Sequence, residues 1–124
     1  MLQHASEQAL KAHGITLTQY NVLRILRGAG EKGLCRHEIA SRLITPVPDV
    51  SRLLDRMVRA GLVTRTRDKH DRRLVASCIT HSGLELLDRL DSPMLELTSQ
   101  QFRSMEREEL EKLLRLLDRA RDPA

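Results

Sequence analysis

Three cations and a titratable imidazole crowd six positions of this chain, Asp68-Lys69-His70-Asp71-Arg72-Arg73. The segments on either side, Leu62 to Arg67 and Leu74 to Thr80, alternate as paired strands do, so the charged stretch is expected to be a hairpin tip. Cations gathered on a projecting tip make a contact for phosphate groups, whereas the plainer alternative is a solvated charged turn. Just upstream, Val50, Leu53, Leu54, Met57 and Val58 recur at helical spacing and form one apolar stripe. Asp49, Ser51, Arg52, Asp55, Arg56 and Arg59 are left on the outer surface of that helix. Thr45 is expected to cap it, with Pro46 at the first helical position, Pro48 still in the first turn, and Gly61 ending it.

Charge is distributed unevenly around this region. Residues 36–73 hold ten Lys or Arg against five acids, while residues 74–124 hold seven against ten, within a net charge of +4. A basic centre followed by an acidic, leucine-rich tail fits a polyanion-binding lobe joined to a helical association segment. Tyr20 and Phe102 are the only aromatic residues. Single-strand and RNA binders stack bases on aromatic side chains, so this poverty favours duplex DNA.

Other chemistries lack their residues. There is no Gly-rich phosphate loop, nucleophile elbow, HExxH or recognisable carboxylate pair, so an enzyme is not expected. Cys35 and Cys78 are too far apart in sequence for a CxxC pair, and none of the five histidines has the spacing of a local zinc motif. No metal and no cofactor are called for. No apolar run approaches the roughly 20 residues of a membrane span, and a cytoplasmic location is expected.

The positioning elements follow from periodicity. A short helix is expected over 2–13, ended by Gly14, and an apolar one over Thr16 to Arg27, broken by Gly28, Gly30 and Gly33. A third helix should run from Cys35 to Ile44, with Cys35 at the cap, Glu38 in the capping-box position, and Ile39, Ala40 and Leu43 inward. After Gly83, a seam of Leu84, Leu87, Leu90, Met94, Leu95 and Leu97 leads to Pro93, which should kink or break the helix near Asp91-Ser92. Ser104 would cap a last helix with a stripe of Leu110, Leu113, Leu114 and Leu117. A chain of 124 residues has little core left to cover both stripes, which points to a partner subunit.

Helix followed by basic-tipped hairpin is the order a winged helix uses to hold a duplex at two grooves. Val50-Ser51-Arg52-Leu53-Leu54-Asp55-Arg56-Met57, Gly61-Leu62-Val63, Arg67-Asp68 followed by Asp71-Arg72-Arg73, and Ile79-Thr80-His81-Ser82-Gly83 come in an order that resembles the MarR family of winged-helix transcriptional regulators. The match runs from Leu17 over most of the chain. It implies a mainly α fold with a small β-hairpin: a winged helix-turn-helix lobe over 16–83 and helical dimerisation segments at 1–14 and 84–122.

By that resemblance the helix from Pro46 to Ala60 is the recognition helix and the hairpin from Leu62 to Thr80 is the wing. A helix fits the major groove, so Val47, Pro48, Asp49, Ser51, Arg52 and Arg56 are expected to face DNA. Arg52 is placed to chelate guanine and Ser51 to bond a phosphate. The plainer alternative pairs Arg52 with Asp49, and Arg56 with nearby acids. At the tip, the family pattern of Asp, any residue, Arg falls on Asp71 and Arg73. It implies that Arg73 enters the minor groove, where a narrow groove concentrates negative potential, and that Asp71 orients it. Lys69 and Arg72 would serve phosphates.

The resemblance further implies a homodimer on a palindromic operator and release by a small-molecule effector, most often from repression. This chain departs from the pattern in its short first helix and in Pro93. Tyr20, with His13 before it, is a candidate pocket-lining residue, although such a tyrosine is more often core. Cys35, at a helix N-terminus beside Arg36 and His37, is a candidate oxidant sensor, with a structural cap the better-supported reading. The alternatives to a ligand-responsive regulator are a redox-responsive one acting through Cys35 and a winged helix used as a protein-interaction module, which would not need Lys69, Arg72 and Arg73.

Overall fold

Helix α2 (Leu17–Ala29) packs against the first, third and last helices, the second strand and the 3-10 turn that follows it. The computed structural model describes residues 2–68, 70, 71 and 73–121, without the side chains of residues 2–4, 101–107, 110, 120 and 121. In chain order it contains α1 (Leu2–Lys11), α2, one 3-10 turn (Gly30–Lys32), α3 (Arg36–Arg42), α4 (Val50–Arg59), β1 (Val63–Arg67), β2 (Val75–Ile79) and α5 (His81–Arg121). Thr16 and Gln19 cap α2 reciprocally, the Thr16 hydroxyl accepting from Gln19 N–H at 3.1 Å and Gln19 Oε1 accepting from Thr16 N–H at 3.0 Å. Val22, Leu23 and Leu26 are fully buried in one core with Leu10, Leu34, Ile39, Leu54, Met57, Leu87 and Leu90. Burying such side chains is the main favourable term in holding the elements together.

Helix α4 starts later than the sequence predicts. Pro46, Val47 and Pro48 lie outside it, and Asp49 rather than Thr45 is the cap, its carboxylate accepting from Arg52 N–H at 3.0 Å. Proline disfavours the helical conformation in the residue before it, so Pro48 keeps Val47 out of the helix, which begins at Val50. The apolar stripe otherwise holds, with Leu54 and Met57 buried and Val50 and Leu53 half-buried, although Val58 is 37% exposed. Helix α3 is also shorter than predicted, since Leu43 has already left the helical conformation, and Ala40 is exposed.

The hairpin pairs Val63 with Ile79 through Arg67 with Val75 in antiparallel register, leaving the predicted Leu62, Leu74 and Thr80 outside the strands. A third backbone segment joins it, for Leu34 and Ser77 exchange both hydrogen bonds, at 3.0 and 2.8 Å. The base of the hairpin is closed by Thr80. Its N–H donates to the Leu62 carbonyl at 3.0 Å, and its hydroxyl donates to the Gly61 carbonyl at 2.6 Å and accepts from Gly83 N–H at 3.0 Å.

Pro93 does not break the last helix. A single 41-residue α5 runs through it, and Ser104 lies inside the helix rather than at a cap. Pro93 is exposed, so its ring does not disturb the buried face of Leu86, Leu87, Leu90 and Met94. The seam also misplaces Leu95, which is 67% exposed because it lies one residue beyond the buried Met94. Leu113, Leu114, Leu116 and Leu117 are all about half exposed.

Close approach singles out Gly83, where a Cβ would lie 2.6 Å from the Leu62 carbonyl oxygen and 2.7 Å from Ile79 Cγ1. Gly83→Ala is expected to destabilise the protein by about 2 kcal/mol, as overpacking against backbone does. Gly28→Ala, which meets nothing within 4 Å, should be neutral or slightly stabilising. Urea denaturation midpoints of the two variants check the contrast.

Candidate nucleic-acid interface

The N-termini of α3 and α4 are both capped by carboxylates. At α3, Glu38 Oε1 accepts from Cys35 N–H at 3.1 Å, and this hydrogen bond holds the Glu38 carboxyl below its ordinary value. Arg36 and His37 are exposed in the first turn. Arg36 donates to the Ser51 hydroxyl oxygen at 3.1 Å and so ties the start of α3 to that of α4.

Along α4, Arg52 and Arg56 are exposed and have no ion pair among the described residues. The pairings that would have made them an ordinary solvated face are therefore not formed. Asp49 is engaged with the Arg52 backbone instead of its side chain, and Asp55 pairs with Arg65 at 2.6 Å. Val47 is half-buried and Pro48 exposed in the turn before the helix. The Ser51 side chain is half-buried, with its oxygen already accepting from Arg36.

Two carboxylates shape the hairpin tip. Asp68 Oδ1 accepts from the backbone N–H of His70 at 2.7 Å and of Asp71 at 3.2 Å, which folds the loop back on itself. Asp71 Oδ1 then accepts from both the backbone N–H and the Nε of Arg73, at 3.1 and 3.2 Å. With its side chain 92% exposed, Arg73 projects from the surface while its first nitrogen is held. Lys69 and Arg72 lie outside the described residues.

Between α3, α4 and the hairpin runs a cleft of about 440 Å³ lined by Arg36, His37, Ser51, Arg65, Arg67 and Arg73, with no acidic side chain among the described residues of its lining. Reading the sequence missed Arg36, Arg65 and Arg67. The signal for the last two was available, because Arg65 and Arg67 are two apart on β1 and so share one face of the hairpin.

Comparison with known proteins agrees with this geometry. A family model described as "MarR family" matches residues 13–74. The HTH-type transcriptional regulator YkoM of Bacillus subtilis is 30% identical over 89% of this chain and 70% of its own length. The chain belongs to the MarR family. The transcriptional repressor IacR of Pseudomonas putida is 27% identical over 90% of the chain and 66% of its own length, so the chain spans about two thirds of these two relatives. A MepR–DNA complex from S. aureus superposes with a TM-score of 0.78 at 28% identity, covering 96% of this chain and 87% of that one. MarR-family winged-helix architecture thus accounts for the mainly helical fold and its hairpin.

Of the residues singled out for sensing, Tyr20 and His13 sit apart from the basic cleft, whereas Cys35 lines it. Tyr20 is 5% exposed in the core, where burial pushes its phenol pKa up against the opposing charge of Arg24, which lies 5.8 Å from the ring centroid. His13 is exposed in the turn after α1, and neither residue lines the basic cleft. Cys35 is half-buried at the α3 cap, and Cys78 is half-buried with its Sγ 3.5 Å from the Glu31 carbonyl. No group of three metal-ligating side chains occurs among the described residues. Nor is any helix among them long and apolar enough to cross a membrane.

Two outcomes follow from the caps. Asp49→Ala is expected to cost about 1 kcal/mol of stability, read by chemical denaturation. A carboxyl held below its ordinary 4.5 contributes stability that is full above that pH and is lost as pH falls through the folded-state value. The stability difference between the native protein and Glu38→Gln should therefore be present at neutral pH, begin to decline near pH 4.5 and be lost only below the still lower folded-state value.

Proposed function

We propose that the protein is a sequence-reading, double-stranded DNA-binding transcriptional regulator that acts as a homodimer. The observation that carries this reading is the combination of an α4 surface on which Arg52 and Arg56 have no ion pair among the described residues with a hairpin tip on which Asp71 orients the exposed Arg73. Helix α4 enters the major groove, where Arg52 reaches base edges and Arg56, with Lys69 and Arg72 of the wing, meets phosphates. Val47 and Pro48 contact the groove wall from the preceding turn. Asp49 serves first as the helix cap, and Ser51 contributes to phosphate binding through the proton left on its hydroxyl. Arg73 enters the adjacent minor groove with its rotamer limited by Asp71.

The structural neighbour MepR is seen bound to DNA, and the relative IacR is named a repressor. Both support repression by occupancy of an operator. The half-exposed leucines of α5, Leu113, Leu114, Leu116 and Leu117, support self-association. Two copies related by a two-fold axis suit a palindromic operator. Control by a small-molecule effector and a cytoplasmic location complete the reading.

Binding to a duplex from the gene's own upstream region and to a scrambled duplex, followed across a salt series, tests it. Preference for the first duplex is expected, with a steep salt slope that Arg73→Ala reduces by about one. Equal weak binding to both would overturn the assignment. Replacing Leu113 and Leu117 together by Glu is expected to shift sedimentation equilibrium toward monomer and to weaken operator binding.

A further inference from the structure

Arg65, on β1, makes two contacts to α4 with one guanidinium. Its NH1 lies 2.6 Å from Asp55 Oδ1 and its NH2 donates to the Ser51 carbonyl at 3.1 Å. Ser51 and Asp55 are four residues apart, so the planar group spans two successive turns of the helix. On its other side, the Ser51 hydroxyl oxygen accepts from Arg36 at 3.1 Å. The first turn of α4 is thus held from the hairpin and from α3 at once.

We propose that Arg65 is a positioning residue that locks the pitch of α4 to the wing, so that the major-groove and minor-groove contacts dock as one unit. The proposal rests on the DNA-binding reading above. Its geometric basis is that Arg65 spends its charge on Asp55, whereas Arg52 and Arg56 have no ion pair among the described residues. The rival role is a phosphate contact, since Arg65 also lines the basic cleft.

The two roles differ in sign. If Arg65 bound phosphate, Asp55→Asn would release it and strengthen DNA binding, and Arg65→Lys would preserve the contact. If Arg65 positions α4, both changes weaken operator binding, because an ammonium is a point charge without the forked geometry that reaches two acceptors.

Fluorescence anisotropy of the full chain on the upstream duplex and on the scrambled duplex, across salt, separates them. Asp55→Asn, Arg65→Lys and Arg65→Gln should each lose roughly tenfold in affinity for the upstream duplex, as expected for removal of one coupled contact. Their affinity for the scrambled duplex and their salt slope should stay unchanged, and Asp55→Asn combined with Arg65→Gln should be no worse than either alone. Native-like affinity in Arg65→Lys, stronger binding in Asp55→Asn, or a slope reduced by about one in Arg65→Gln would overturn the proposal. So would an equal loss on both duplexes, which would assign Arg65 to general stability. An unmodified protein without preference for the upstream duplex would instead overturn the DNA-binding reading on which this one rests.

Discussion

Much of the geometry depends on one backbone exchange, the pair of hydrogen bonds at 3.0 and 2.8 Å between Leu34 and Ser77. A two-stranded hairpin is marginal in isolation, and the extra segment gives the inner strand a partner on each side. Because Leu34 immediately precedes the α3 cap, the same exchange fixes where α3 begins relative to the hairpin. Gly33 allows the approach, since a Cβ there would lie 2.6 Å from the Ser77 carbonyl oxygen. Leu34 and Val63 then bury their side chains in the common core with α2 and α4. Placement of the wing is therefore a consequence of core formation rather than of the wing's own residues.

On that frame the acids and bases take different tasks. Asp49, Glu38, Asp68 and Asp71 all accept from backbone N–H groups, ending helices or folding the tip. Asp55 neutralises Arg65. The five carboxylates of residues 36–73 are thus engaged in shaping the region, and among the described residues Arg52 and Arg56 have no ion pair while the outer part of Arg73 faces solvent. Net charge alone would not reveal this, because an acid bound to the backbone at a helix end still counts against an arginine in the total. Electrostatic attraction to a polyanion depends on where the charge is presented, and exposed arginines are presented on α3, on α4 and at the hairpin tip.

Local signals in the sequence were legible where a single interaction decides the outcome. Glu38 reads as a capping-box acid because its partner, the Cys35 N–H, is three residues away, and Gly61 reads as a stop because its φ of +77° favours glycine. The order of helix and hairpin, and the Asp71–Arg73 contact implied by the family pattern, were legible for the same reason. Errors arose where two local rules compete. Proline is suited to a first helical turn, yet Pro48 also excludes the helical conformation from Val47, and the second rule prevails. Pro93 removes one hydrogen bond, but the buried row of Leu86, Leu87, Leu90 and Met94 holds the helix across it. Contacts between distant residues, such as Arg36 with Ser51 and Arg65 with Asp55, leave no sequence spacing by which to find them.

On the proposed reading, α4 and the wing of one protomer occupy neighbouring grooves of the same duplex. Hydroxyl-radical footprinting of the protein on its upstream DNA, combined with protection of guanine N7 from methylation, tests it most directly. Each half-site should show a major-groove patch of N7 protection flanked by a minor-groove patch of sugar protection, the latter lost when Arg73 is replaced. Protection confined to one groove, or spread evenly along the duplex, would contradict it.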